Sequence, residues 1–205
     1  MDFIHKFIPS PTGQNETTLV LLHGTGGNEE DLLPLGQFLA PNAARLGIRG
    51  KVLEGGMPRF FRRLSEGVFD EEDLIFRTHE LAQFIEAASQ TYALNPARLV
   101  AVGYSNGANI AASSMLLEPN IFSAAVLFRA MVPLVPARLP DLQGKSVLMQ
   151  SGRQDPIIPA TNSEQLADLL KQAGADVTLN WQNNGHGLTN PELVLAQTWL
   201  NQQTL

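Results

Sequence analysis

Apolar residues along this chain form short continuous runs, separated by glycine-rich or polar turns and by segments of helical periodicity. A continuous apolar run is typical of a strand that is covered on both faces of its sheet. Seven segments are predicted to be strands: Phe3–Ile8, Thr18–Leu22, Lys51–Leu53, Leu99–Tyr104, Ala124–Phe128, Ser146–Gln150 and Val177–Gln182.

Capping residues and apolar stripes predict helices between these strands, and a helix of small residues is expected after Ser105. The other four helices are predicted to run from Asn28 through Leu39, from Asp70 through Ala88, from Asn162 or Ser163 to a stop at Gly174, and from Pro191 through Trp199. Alternating strands and helices indicate an α/β fold with a mostly parallel central sheet flanked by helices. Ligands of such sheets bind at the carboxyl ends of the strands.

Composition narrows the class of protein. The 205 residues are 44% hydrophobic and 17% charged, which is ordinary for one globular domain spanning 1–205. A net charge of −6 argues against a nucleic-acid partner, and the lack of cysteine excludes disulfides, thiolate metal sites and a cysteine nucleophile. Neither a signal peptide nor a membrane span is visible, so a cytoplasmic location is expected.

One short basic cluster interrupts this acidic chain. Arg59, Arg62 and Arg63 are interleaved with Phe60 and Phe61. The cluster fits a solvated loop, and it also fits a site for an anion or a partner. The surrounding segment, 54–73, fits either a mobile lid or a fixed loop.

The segment Gly103–Gly107 reads Gly-Tyr-Ser-Asn-Gly and directly follows an apolar strand. Taken alone, this pattern also fits a tight turn without chemistry. Between a strand and a helix it is typical of a nucleophile elbow, in which a strained turn presents the serine at the strand's end. The following helix N-terminus favours developing negative charge. Ser105 is therefore the predicted nucleophile.

A serine needs a base and a group that orients the base. Of the four histidines, His186 lies between two glycines after the last strand, where a loop can reach the serine. His23 is interpreted as a structural residue of the turn after the second strand, and His5 and His79 as ordinary residues. Asp155 follows its strand and is the predicted acid, although it also fits a turn aspartate that bonds its own backbone.

Serine, acid and histidine then follow the chain order of α/β-hydrolases. The predicted oxyanion donors are the backbone N–H groups of Asn106, which follows the nucleophile, and of Thr25 in the glycine-rich turn. Apolar side chains that could wall an acyl pocket, although each also fits the core, are Met57, Phe60, Phe61, Phe69 and Met131. No spacing of ligands suggests a metal, and no cofactor is expected.

The chain resembles the carboxylesterase/phospholipase family of small α/β-hydrolases, which includes acyl-protein thioesterases, and most of all its bacterial hydroquinone-resistance-type carboxylesterases. The segments that carry the resemblance are Leu21–Gly27, Gly56–Arg62, Phe69–Asp73, Gly103–Gly107, Gly152–Pro159 and Gly185–Leu188. The resemblance places Ser105, Asp155 and His186 at the triad positions. Many relatives carry Gln in place of Asn106, and thioesterase-like members carry Leu in place of Thr25.

The resemblance implies an α/β-hydrolase fold without a large cap domain, no cofactor and frequent homodimers. The expected activity is hydrolysis of short-chain carboxylic esters, which are small molecules, through an acyl-serine intermediate. A thioesterase or acyltransferase would use the same residues, and a non-catalytic ligand-binding protein would retain the site without turnover. These alternatives stay open on the sequence.

Overall fold

A central sheet organises the protein, whose computed structural model describes residues 3–13 and 17–203. The strands in chain order are β1 (His5–Ile8), β2 (Thr18–Leu22), β3 (Ala44–Ile48), β4 (Val52–Glu54), β5 (Met57–Arg59), β6 (Arg63–Ser65), β7 (Val68–Phe69), β8 (Leu99–Tyr104), β9 (Ala124–Phe128), β10 (Ser146–Gly152) and β11 (Asp176–Gln182). The helices are α1 (Leu33–Leu39), α2 (Glu71–Thr91), α3 (Asn106–Leu117), α4 (Ala160–Gln172) and α5 (Asn190–Gln202), with a short 3-10 turn at Pro96–Arg98.

Within the residues that the structure describes, seven strands form the central sheet in the order β1-β3-β2-β8-β9-β10-β11. Only β1 is antiparallel to its neighbour, β3. Helices α2, α3 and α4 pack on one face of the sheet, and α1 and α5 pack on the other. Every residue of β2, β3 and β9 is buried, because both faces of the sheet are covered. The predicted α/β-hydrolase architecture is confirmed.

Strand β3, the third strand along the chain, was not predicted. The predicted strand at Lys51–Leu53 is wrong as a sheet strand, since Val52–Glu54 pairs only with Met57–Arg59 in a separate ribbon. The sheet position belongs to Ala44–Ile48, where Arg45 and Gly47 interrupt the apolar pattern although both residues are buried. Because arginine is seldom buried, the presence of Arg45 argued against a buried strand at this position.

Segment 54–73 folds into small hairpins that are tied to the body of the protein. Pro58 accepts a hydrogen bond from the Gly26 N–H at 2.9 Å. The Phe60 N–H donates to Asn106 Oδ1 at 2.7 Å, and the Arg62 N–H donates to Asp73 Oδ2 at 2.7 Å. These contacts favour the fixed-loop alternative over the mobile lid.

Two of the predicted helix starts differ from the structure by two residues or more. Helix α1 begins at Leu33 rather than Asn28, because the Asn28 side chain accepts from the Glu30 N–H in a local turn. Helix α4 begins at Ala160, before the predicted Asn162. Asp70 caps α2 as predicted, by accepting from the Asp73 N–H. Among the described residues, no helix is both long and apolar enough to cross a membrane.

Candidate active site

Ser105 stands at the sharp turn between β8 and α3. Its φ is +52°, a left-handed conformation that is strained for a residue with a Cβ atom. Gly103 and Gly107 make this turn possible, because a Cβ at either position would overlap backbone atoms of a neighbouring segment. The turn thus has the geometry of a nucleophile elbow.

Asp155, His186 and Ser105 form one chain of hydrogen bonds. His186 Nε2 lies 3.0 Å from Ser105 Oγ, and His186 Nδ1 lies 2.7 Å from Asp155 Oδ2. The Asp155 side chain is 1% exposed and that of His186 is 19% exposed. The other carboxylate oxygen of Asp155 accepts from the N–H groups of Ile157 and Ile158, so this aspartate also caps its own turn.

This geometry determines what the imidazole of His186 can do. Because a carboxylate is an acceptor, Nδ1 carries the proton and its N–H donates a hydrogen bond to Asp155. Nε2 is then left as the acceptor for the Ser105 hydroxyl. A serine whose proton has an acceptor in place can attack an electrophilic carbon, and the carboxylate would stabilise the imidazolium that forms.

Arg129, which sequence reasoning missed, fixes the loop that carries His186. Its side chain is fully buried and donates to the carbonyl oxygens of Gly185 at 3.0 Å and Gly187 at 2.8 Å, one on each side of the histidine. It also donates to Asn184 Oδ1 and to the Gln150 carbonyl. No pattern around Arg129 signalled this role, because it simply follows the apolar strand β9.

Glu192 provides the counter-charge for Arg129. Its Oε1 lies 2.5 Å from Arg129 Nη1, and its Oε2 accepts from the N–H and hydroxyl of Thr189. Burial alone would raise the pKa of the Glu192 carboxyl, but the contacts with Arg129 and Thr189 hold that pKa below its ordinary value. Tyr104 adds a further contact to the loop by donating to the His186 carbonyl at 3.1 Å.

The two predicted oxyanion residues lie beside Ser105. Asn106 is the first residue of α3, so its N–H has no carbonyl partner one turn earlier in the helix. Thr25 lies in the loop after β2 and lines the same cavity as Ser105 and Asn106. The Thr25 hydroxyl accepts from Arg59 Nη1 at 2.9 Å, which holds this loop against β5.

The other three histidines have structural contacts. His23 is buried, with Nδ1 2.6 Å from the Gly24 carbonyl and Nε2 accepting from the Gly50 N–H at 3.0 Å. Burial lowers the pKa of His23 below its ordinary value. His5 contacts the Phe3 carbonyl and the Tyr92 hydroxyl, and His79 pairs with Glu118.

A cavity of about 260 Å³ opens at Ser105. Of the five predicted pocket residues, Phe69 and Met131 line it. Phe60 and Phe61 are wrong as pocket residues, because both rings are buried in the hydrophobic core. Met57 is exposed and does not line the cavity. The lining residues that were not predicted as such are Arg59, Arg63, Glu66, Gly67, Tyr104, Asn109 and Ile157.

The basic cluster divides into two environments. Arg62 is 61% exposed and pairs with Asp70, as expected of a solvated loop. Arg59 and Arg63 instead line the cavity and share Glu54. The solvated-loop interpretation therefore holds for only one of the three arginines.

Comparison with known proteins places the chain in a family. The model of the phospholipase/carboxylesterase family matches residues 4–204. The chain belongs to this family. A putative hydrolase of Bacillus subtilis (strain 168), MhqD, is 50% identical over 190 residues, which cover 93% of this chain and 95% of that protein.

Two solved structures are similar to this family member over nearly its whole length. The Bacillus cereus carboxylesterase superposes with a TM-score of 0.95 at 48% identity, covering 98% of this chain and 94% of that chain. The structure of YahD with malic acid superposes with a TM-score of 0.91 at 29% identity, covering 98% of both chains. The resemblance in the sequence is confirmed, and the protein is a hydrolase of the carboxylesterase type.

Proposed function

We propose that the protein hydrolyses short-chain carboxylic esters through an acyl-serine intermediate on Ser105. The observation that carries this proposal is the unbroken hydrogen-bonded chain from Asp155 through His186 to Ser105, at the mouth of a cavity. The family supplies the reaction class, and the geometry supports the roles of the three residues.

In the proposed reaction, Ser105 Oγ attacks the ester carbonyl carbon while its proton passes to His186 Nε2. The tetrahedral intermediate places its negative oxygen at the N–H groups of Thr25 and Asn106. The intermediate then collapses, the carbon–oxygen bond to the alcohol breaks, and His186 returns the proton to the departing alcohol. Water then attacks the carbonyl carbon of the acyl-serine while His186 takes its proton. The bond to Ser105 Oγ breaks, His186 returns the proton to Ser105, and the acid is released.

The size of the cavity supports a short acyl group. At about 260 Å³ it lies below the range of about 300–1,000 Å³ that is typical for drug-sized ligands. Its lining combines polar groups with the apolar side chains of Phe69, Met131 and Ile157. A long lipid chain would need a larger volume and more apolar lining than this cavity provides.

The test is hydrolysis of p-nitrophenyl acetate by the wild type and by Ser105→Ala, with p-nitrophenyl decanoate and a matched acetyl thioester as further substrates. We expect turnover of the acetate to fall by about 10⁴-fold or more in the variant, since members of a triad act as a unit. Equal turnover by the two proteins would refute the proposed nucleophile. Faster turnover of the decanoate or the thioester would refute the proposed substrate class.

A further inference from the structure

Two arginines line the same cavity as Ser105, and the reaction proposed above uses neither of them. Arg59 comes from β5 with a side chain that is 4% exposed, and Arg63 comes from β6 with a side chain that is 29% exposed. A guanidinium group is seldom buried unless its charge is compensated. The partners of these two groups therefore indicate what this end of the cavity can bind.

A single carboxylate, that of Glu54, serves both arginines. Its Oε2 lies 3.0 Å from Arg59 Nη1, and its Oε1 accepts from Arg63 Nε at 2.9 Å. Arg59 also donates to the Thr25 hydroxyl and, at 3.3 Å, to the Phe61 carbonyl. Within residues 3–13 and 17–203, Arg59 Nη2 and both terminal nitrogens of Arg63 donate no hydrogen bond to the protein.

The two arginines thus carry more positive charge than their shared partner neutralises. Burial and the neighbouring charge of Arg63 hold the pKa of Arg59 below its ordinary value, although Glu54 opposes them. Glu66 also lines the cavity, but its side chain is exposed in the turn between β6 and β7. It forms no ion pair with either arginine in the described part of the chain. Donors and charge are both available for an anion.

We propose that Arg59 and Arg63 form a carboxylate-binding subsite, and that the preferred substrates are short dicarboxylic acids with one carboxyl group esterified and the other free. The inference rests on the proposed function. The scissile carbonyl would lie at Ser105, the short methylene chain against the apolar walls, and the free carboxylate at the arginines. Guanidinium groups suit this task because they hold a carboxylate with paired, charge-assisted hydrogen bonds.

The first test compares monoethyl succinate with ethyl 4-methylpentanoate, a neutral ester of the same shape, in a pH-stat assay of the wild-type protein. We expect kcat/KM to favour the succinate ester by about tenfold or more at low salt, because hydrogen bonds to charged groups are the strong ones. The preference should shrink as salt is added. Free succinate should likewise inhibit more strongly than butyrate, a measurement that needs no variant.

The second test removes the charge at Arg63. Arg63→Gln should lose the preference for the succinate ester, and Arg63→Lys should retain part of it. The matched control is Arg62→Gln, which changes the exposed neighbour outside the cavity and should leave the ratio of the two kcat/KM values unchanged. Circular dichroism and turnover of the neutral ester show whether each variant is folded.

Several results would refute the proposed carboxylate-binding subsite. They are a wild-type preference for the neutral ester, an unchanged ratio in Arg63→Gln, equal inhibition by succinate and butyrate, or a preference that appears only when the carboxylate is on the alcohol side, as in carboxymethyl acetate. If the wild type hydrolyses neither ester, the proposed function fails instead. Hydrolysis of both esters without preference leaves that function intact and refutes only the subsite.

Discussion

Arg129 combines two features that are unfavourable for an arginine, a φ of +56° and complete burial of its side chain. Both are tolerated because the guanidinium satisfies several acceptors at once, including the carbonyls on either side of His186. Its function would be to position the base rather than to touch the substrate. The buried carboxylate of Glu192 compensates the charge of Arg129.

We predict that Arg129→Lys lowers kcat by about 10–100-fold, because one ammonium group cannot hold both carbonyls and His186 shifts relative to Ser105. KM should change little, since Arg129 does not line the cavity. The free energy of unfolding should fall by about 1–3 kcal/mol, because the ammonium still faces Glu192 but leaves several buried acceptors of the guanidinium without a donor. Steady-state kinetics and urea unfolding measure the two effects.

Arg138→Lys, an exposed position, is the matched control for Arg129→Lys and should leave kcat and stability unchanged. An Arg129→Lys protein that matches the wild type in kcat would contradict the positioning role. Loss of stability without loss of kcat would reduce Arg129 to a structural residue.

A second prediction concerns His23 and the pH dependence of the free energy of unfolding. Because burial depresses its pKa, His23 stays neutral in the folded protein at a pH where the unfolded chain, with a pKa of about 6.5, already takes up a proton. Stability contributed by His23 is therefore present above about pH 6.5 and is lost as the pH falls below it. The unfolding free energy of the wild type minus that of His23→Gln should shrink between pH 7.5 and 5.5. A pH-independent difference would show that His23 titrates alike in both states.

The positions of the three triad candidates were more predictable than the surroundings of the site. Ser105, Asp155 and His186 each follow a predicted strand, and parallel strands bring such ends together. Phe60 and Phe61 were misassigned, because an apolar side chain looks the same in sequence whether it faces the core or a pocket. Arg59 and Arg129 were undervalued, since burial of a charge depends on partners that are distant along the chain.

At the scale of elements, α3 can pack closely against β2 and β8 only because Gly103 and Gly107 have no side chains. A Cβ at Gly107 would overlap the Leu22 carbonyl, which is backbone and cannot move aside. We predict that Gly107→Ala destabilises the protein by about 3 kcal/mol or more, at the upper end of overpacking costs, and displaces Ser105. Urea unfolding measures the loss.

Gly187 provides the comparison for Gly107. An added Cβ there meets no atom within 4 Å, so Gly187→Ala should leave the free energy of unfolding within about 0.5 kcal/mol of the wild type. Similar stability of the two alanine variants would show that the close approach of α3 does not constrain the fold.

Elements with one clear signal were predicted well, and those with conflicting signals were not. Continuous apolar runs identified β2, β8, β9 and β10 within two residues. Strand β3 was missed because Arg45 and Gly47 disfavour a buried strand locally, although tertiary packing buries both. The acidic residues after Asn28 suggested a helix start, but Asn28 Oδ1 caps a turn instead.

At the scale of the molecule, the α/β-hydrolase fold was predictable because the order of chemistry-bearing strand ends carries topological information. The family was predictable only through the resemblance of particular segments, such as Gly103–Gly107 and Gly152–Pro159, to known members. The organisation of 1–205 as one domain, the homodimer and the cytoplasmic location stay predictions. The lining of the cavity emerged only when distant segments came together: Thr25, Arg63 and Ile157 are far apart in the chain.

The proposed chemistry of the whole molecule depends on Ser105 as a nucleophile that His186 and Asp155 activate. The most direct measurement is treatment of the native protein with a fluorophosphonate, followed by mass-spectrometric mapping of the modified residue. We predict one covalent adduct, on Ser105, that is absent in Ser105→Ala and forms much more slowly in His186→Ala. An unmodified Ser105, or equal labelling of wild type and Ser105→Ala at another residue, would contradict it.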